Sequence, residues 1–187
     1  MKTVTLKVFM LGLCLFVVGI SAQAQAKKKA VPYITAPKMV VTKLKVSDGE
    51  SLDVRGKATF TLTAANNDDS LAGTITYVLP EDVRAKIAQI TGKPLAQIPQ
   101  SITQADVVGQ FQKMTDCPVI NLDFPAMDLM VHGAKIHFNR FVMSMKEGEH
   151  EVSLYVCVIA KQINAGRPRR GPIRRINEIL NGDEPQP

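Results

Sequence analysis

The chain has 187 residues and a mass of 20.5 kDa, a length that suits one domain. With 45% hydrophobic and 21% charged residues, it is neither a disordered nor a collagen-like polymer. Its formal charge of +6 is concentrated at the ends, because residues 30–166 hold thirteen Lys and Arg against fourteen Asp and Glu.

At the N-terminus, Lys2 and Lys7 precede an apolar run over residues 8–20, followed by Ser21, Ala22, Ala24 and Ala26. A basic start, an apolar run of about a dozen residues and an Ala-x-Ala end are the marks of a secretory signal peptide. The run falls short of the roughly 20 residues of a membrane-spanning helix. Cleavage is expected after Ala24 or Ala26, so residues 1–24 form the leader. Leu13 before Cys14 is too large for a lipoprotein site. No later stretch approaches spanning length, and no transmembrane segment is expected once the leader is gone. The pattern points to bacterial export, to the periplasm or the exterior. Cys14 leaves with the leader, and Cys117 and Cys157 remain as an even pair, expected to form a disulfide.

Residues 25–37, with Lys27, Lys28 and Lys29, read as a flexible lead-in. Val40, Leu44 and Val46 alternate with Lys43 and Lys45 as a first strand, and 47–50 form a turn. Over 52–64 the apolar residues Leu52, Val54, Phe60 and Leu62 share one parity with Gly56 and Ala58, while Asp53, Arg55, Lys57 and three Thr take the other. That pattern predicts a long antiparallel strand with one wet face. The Gly56/Ala58 stretch leaves the dry face thin, which a bulge or a close helix would explain.

A polar loop at 66–69 leads to a strand over 74–79. Pro80 then starts a helix with Val83, Ile87 and Ile90 on one face and Gly92 as its stop. A second helix is expected from an N-cap at Thr103, with Asp106 completing a capping box and Val107, Val108, Phe111 and Met114 on its apolar face. Strands are expected over 119–124, 127–132 and 135–145, with a turn at Gly133-Ala134 and an irregularity at Asn139-Arg140. After a hairpin turn at 146–149, Val152, Leu154, Val156, Val158 and Ala160 alternate, and Tyr155, Cys157 and Ile159 make the other face apolar too. That run predicts a central strand. The chain closes with a basic Arg/Pro/Gly segment and a short, weakly held helix from Pro172, with Ile173, Ile176 and Leu180 on one face.

These elements describe an α+β or mainly β fold: an antiparallel sheet or β-sandwich of about seven strands, with a two-helix insertion at about 80–115. The organisation is a leader (1–24), a lead-in (25–37), one β-rich domain (38–166) and a basic tail (167–187).

Chemistry is sparse. There is no nucleophile elbow, phosphate-binding Gly loop, dinucleotide fingerprint or His-Glu-x-x-His, and no cofactor is expected. Asp128 shares strand parity with His132 but sits two pleats away. The thioethers of Met130, Met143 and Met145, with His132, form the one candidate Cu(I) set, and filling of an irregular core competes with that reading. Neither basic cluster interleaves aromatics, which argues against nucleic acid. Arg167, Arg169, Arg170, Arg174 and Arg175 suit contact with an anionic surface. The expected partners are an envelope protein, anionic lipid or envelope polymer. The function expected is therefore a non-enzymatic, exported binding or envelope-structural module. The alternative is a carrier of an apolar ligand or lipid in a cavity between sheet and helices.

Overall fold

The computed structural model describes residues 32–47, 50–112, 117, 119–146, 148 and 150–183. The expected leader (1–24), residues 25–31 of the lead-in with their three lysines, Met114 and parts of two expected turns (Asp48, Gly49, Glu147, Glu149) lie outside these residues.

The described chain is mainly β: one curled antiparallel sheet of nine strands, with three helices. In chain order the elements are β1 (Tyr33–Ile34), β2 (Lys38–Ser47), β3 (Glu50–Ala65), β4 (Ser70–Val78), α1 (Glu81–Thr91), β5 (Ser101–Phe111), β6 (Val119–Phe124), β7 (Met127–Val131), β8 (Ala134–Phe138), β9 (Phe141–Lys146), α2 (Glu151–Asn164) and α3 (Arg170–Asn181). The strand order is β7-β8-β2-β3-β4-β5-β6-β9, and β1 pairs with β3. The seven strands of the sequence reading thus become nine, and all of them belong to a single sheet.

The period-two pattern of β3 sets the two faces. Val54, Ala58, Phe60 and Leu62 are buried, while Asp53, Arg55 and Lys57 are exposed. The thin stretch at Gly56 is filled neither by a bulge nor by a helix. Tyr77 of β4 lays its ring over Gly56, where a Cβ would overlap the ring. The same device recurs on adjoining strands: Phe60 covers Gly73 of β4, and Phe124 of β6 covers Gly109 of β5. Each glycine leaves room for an aromatic ring of a neighbouring strand, and Gly73 leaves room for the Thr61 carbonyl oxygen as well.

Those rings join into one chain. Tyr77 meets Phe138 edge-on at 4.9 Å, Phe138 and Phe141 are 5.9 Å apart, Phe141 stacks on Phe124 at 5.3 Å, and Phe124 meets Phe60 at 5.0 Å. Along the sheet, β4 and β8 are three strand spacings apart, about 14 Å. Their rings touch because the Tyr77 ring crosses β3 at Gly56 and reaches Thr42 of β2, which lies opposite Phe138.

Four expectations need correction. The lead-in (25–37) does not run free to its end: Tyr33 and Thr35 are buried, and Thr35 exchanges hydrogen bonds with Phe60 through its backbone N–H (2.9 Å) and its Oγ1 (2.9 Å). The two-helix insertion at 80–115 is a single helix, α1, because the expected second helix is strand β5. Its register shifts between Gln104 and Val107, and Asp106 adopts a left-handed φ of 56°. The extra residue of this bulge switches the inward parity between Ile102 and Val107, and beyond it Val107 and Phe111 keep a strand's alternation whose four-residue spacing coincides with a helical i, i+4 pair. The expected central strand 152–160 is helix α2, with Val152, Ser153, Val156, Cys157, Ile159 and Ala160 buried as one stripe. His150 caps it, its Nδ1 accepting the Val152 N–H at 3.3 Å. The β-branched residues of this run favour a strand, and packing overrides that preference. Finally, the turn between β7 and β8 is His132-Gly133, both with positive φ, one residue earlier than expected.

The disulfide is as expected. Cys117, following β5, is bonded to Cys157 of α2, fastening that helix to the sheet.

Candidate functional site

Two hollows gather charged side chains. The first lies where α2 hands over to α3, beside the loop between β3 and β4. The helix α3 is fastened there by its apolar stripe, with Ile173 and Ile176 buried. Its Asn177 pairs with the backbone of Ala65: Oδ1 accepts the N–H at 2.8 Å, and Nδ2 donates to the carbonyl at 3.0 Å. These contacts dock the helix onto the end of β3.

The five tail arginines divide by role. Arg175 is largely buried between α2 and α3. It donates to Glu151 at 3.0 Å, lies within 3.6 Å of Glu178, and sits 6.0 Å from the centre of the Tyr155 ring. Contacts with Tyr155 and then Glu151 hold its guanidinium even more firmly protonated than usual. Arg169 forms an ion pair with Asp69. These two fasten the helix.

Arg174 pairs with Glu178 at 3.3 Å one turn along α3, yet its side chain is 81% exposed. Arg167 and Arg170 make no ion pair among the described residues. Both line an open hollow of about 490 Å³ with Asn67, Gly166, Arg169 and Ile173. Arg174 borders its continuation along α3.

The second hollow, about 280 Å³, lies on the outer face of β2, β3, β7 and β8 and is lined by Lys43, Lys45, Glu50, Ser51, Asp128, Lys135 and His137. The hairpin register puts Asp128 opposite His137, not beside His132. Asp128 Oδ1 is 2.7 Å from His137 Nδ1, and its Oδ2 is 2.5 Å from Lys135 Nζ. Lys135 first, then His137, hold the Asp128 carboxyl below the usual carboxylate range. An ionised carboxylate only accepts, so Nδ1 carries the proton and Nε2 is left facing away from Asp128.

An oriented imidazole of this kind needs a third group before it can act as a base on a nucleophile. Ser51 is the hydroxyl in the hollow, but β2 lies between its strand and that of His137. Two strand spacings, about 10 Å, put it beyond hydrogen-bond reach. Among the described residues, no group of three or more His, Cys, Asp or Glu side chains is placed to hold a metal ion.

The structure does not bring the candidate Cu(I) set together. Met143 and Met145 are buried on the inner face of β9, whereas Met130 is exposed on the outer face of β7. His132 sits in its turn with Nε2 3.0 Å from the Gln97 carbonyl. The sequence reading missed the Asp128–His137 pair by the one-residue displacement of that turn. The Val131–Ala134 spacing around an x-Gly step was the available signal.

No protein-family model, curated protein or solved structure matches this chain at a significant level.

Proposed function

We propose that the protein is an exported, non-enzymatic binding or envelope-structural module that engages anionic envelope material through Arg167, Arg170 and Arg174. The observation that carries this reading is the division of labour among the five tail arginines. Arg169 and Arg175 are committed to carboxylates that fasten α3, whereas Arg167 and Arg170 flank an open hollow without an ion-pair partner among the described residues. Guanidinium groups held on a docked helix present planar donor forks that match phosphate and carboxylate oxygens. Export is supported by the leader pattern at 1–24 and by the disulfide, which suits an oxidising compartment.

The alternative, a carrier of an apolar ligand or lipid, has less support. The ring chain from Tyr77 to Phe60 occupies the concave side of the sheet, where such a ligand would need to lie. Ser51, the hydroxyl in the second hollow, lies two strand spacings from His137, so this pair offers no activated nucleophile.

Native mass spectrometry of the protein isolated from its own envelope tests the proposal. Co-purification of an acidic polymer or anionic lipid, released by salt, is the expected result. An apolar ligand retained at high salt would support the carrier instead.

A further inference from the structure

On the outer face of the sheet, the strand register assembles a patch that the linear sequence scatters over forty residues. Met39 of β2 lies opposite Lys57 of β3, and Lys57 lies opposite Val78 of β4. One row along, Val41 lies opposite Arg55, and one row further Lys43 lies opposite Asp53. Facing partners in an antiparallel sheet project on the same side. The side is the wet one, since Met39 is 57% exposed, Val41 47% and Val78 48%. Met39 and Val41 are neighbours on β2, and Val78 lies two strand spacings, about 10 Å, from Met39 with Lys57 between them. Arg55 and Lys57 stand on β3 beside them, Lys43 stands one row on opposite Asp53, and Glu50 and Asp128 line the adjoining hollow with Lys43. None of these three cations makes an ion pair with a described residue.

We infer that this face docks on a bilayer carrying anionic headgroups. The charge selects the partner: with the adjoining hollow included, Lys43, Lys45, Arg55, Lys57 and Lys135 outnumber Glu50, Asp53 and Asp128, which suits a negatively charged surface. The apolar centre is aliphatic, with no aromatic ring. Protein interfaces favour Trp, Tyr and Arg at their centre and are poor in Lys. Lys and Arg around Met and Val suit the boundary between headgroups and acyl chains, where long stems lie along apolar surface and the charged heads reach phosphate. The patch lies on the opposite side of the sheet from the ring-filled core. It is also separate from the α3 arginines, which adjoin the far end of β3 at Ala65. It is therefore a second contact, independent of the function proposed above.

The test is co-sedimentation of the protein, isolated from the cell envelope, with vesicles of equal parts phosphatidylglycerol and phosphatidylcholine, and with phosphatidylcholine alone. Three variants are compared: Arg55→Gln with Lys57→Gln, Met39→Ser with Val41→Ser, and Arg167→Gln with Arg170→Gln and Arg174→Gln. Removing Arg55 and Lys57 should weaken partitioning to the anionic vesicles about fivefold per cation. The serine pair should remove the part of the binding that survives high salt. The arginine triple should keep both sheet-face effects. A polarity-sensitive dye on Val41→Cys, in the otherwise unaltered chain, should move to an apolar environment when anionic vesicles are added. That readout decides the matter even if a multiple variant folds poorly. A dye at position 41 that does not respond while the protein sediments would overturn the inference. So would sheet-face variants that bind like the parent, or binding lost only in the arginine triple. Indifference to vesicles, with capture of an acidic protein instead, would also overturn it.

Discussion

The hydroxyl of Tyr77 lies 3.1 Å from that of Thr42, although a whole strand, β3, runs between the two residues. The span is possible because Gly56 of β3 offers no Cβ, and the Tyr77 ring crosses the strand at that point. Gly56→Ala should therefore drive a methyl into a ring that cannot retreat, because Phe138 backs it at 4.9 Å. Overpacking of this kind costs about 1–3 kcal/mol. A urea titration checks it, with a lower midpoint and unchanged slope expected.

Burial raises the Tyr77 phenol pKa above its ordinary 10.0. The unfolded chain then loses its proton first as pH rises. Stability should hold up to about pH 10 and fall beyond it. Tyr77→Phe should flatten that alkaline decline, while losing about 1 kcal/mol at neutral pH for the hydrogen bond to Thr42. Midpoints measured between neutral and strongly alkaline pH distinguish the two effects.

At the acid end, the Arg140 guanidinium holds the Asp123 carboxyl below its ordinary range, and Lys135 and His137 do the same for Asp128. A depressed carboxylate pKa stabilises the fold above the unfolded value, near pH 4, and that stability is lost as pH falls through the folded value. Arg140→Gln should leave Asp123, a nearly buried carboxylate, without its bidentate partner. The variant should be less stable at neutral pH, and its stability should depend less on pH below 4. Equal acid profiles for variant and parent would remove Asp123 from the account.

Helix α2 makes a sharp distinction between Val156, fully buried, and Val158, 39% exposed. In a strand these residues would share a face and respond alike. In the helix they lie about 200° apart. Val156→Glu should cost more than about 3 kcal/mol by burying an unpaired charge, whereas Val158→Glu should stay within about 0.5 kcal/mol of the parent. Thermal midpoints of the two variants check the assignment.

That contrast also explains what was legible in the sequence. Where one face is wet and the register is regular, as in β3 from Val54 to Leu62, alternation identified both the strand and its buried side. Proline and glycine marked the bounds of α1, and Asn181-Gly182 the end of α3, because those residues have few alternative roles. In β5, one extra residue at Ala105-Asp106 broke the alternation between Ile102 and Val107, and the four-residue spacing of Val107 and Phe111 fits a helix as well as a strand. In α2, a run rich in Val and Ile satisfied both periods, and the 3.6-residue stripe from Val152 to Ala160 was hidden among apolar neighbours. The candidate sites depended on register more than on composition. A one-residue shift of the β7–β8 turn decides whether Asp128 meets His137. The patch of Met39, Val41 and Val78 exists only once β2, β3 and β4 are aligned.

The disulfide closes a loop of 40 residues between the end of β5 and α2. Chain entropy alone assigns it about 4 kcal/mol. Replacing both cysteines by Ala should lower the denaturation midpoint by a large fraction of the total stability, and reductant should do the same to the parent. Loss of helical signal ahead of sheet signal is expected, because Cys157 fastens α2.

Arg167, Arg170 and Arg174 are proposed to bind anionic material, whereas Arg169 and Arg175 hold α3. The most direct measurement is retention on an immobilised polyanion, dextran sulfate, as salt is raised. The parent is compared with Arg167→Gln/Arg170→Gln/Arg174→Gln, and the thermal midpoint of each is taken alongside. The triple variant should elute at clearly lower salt with a midpoint within a few degrees of the parent, since exposed charges contribute little to stability. Elution at the parent's salt concentration would contradict it.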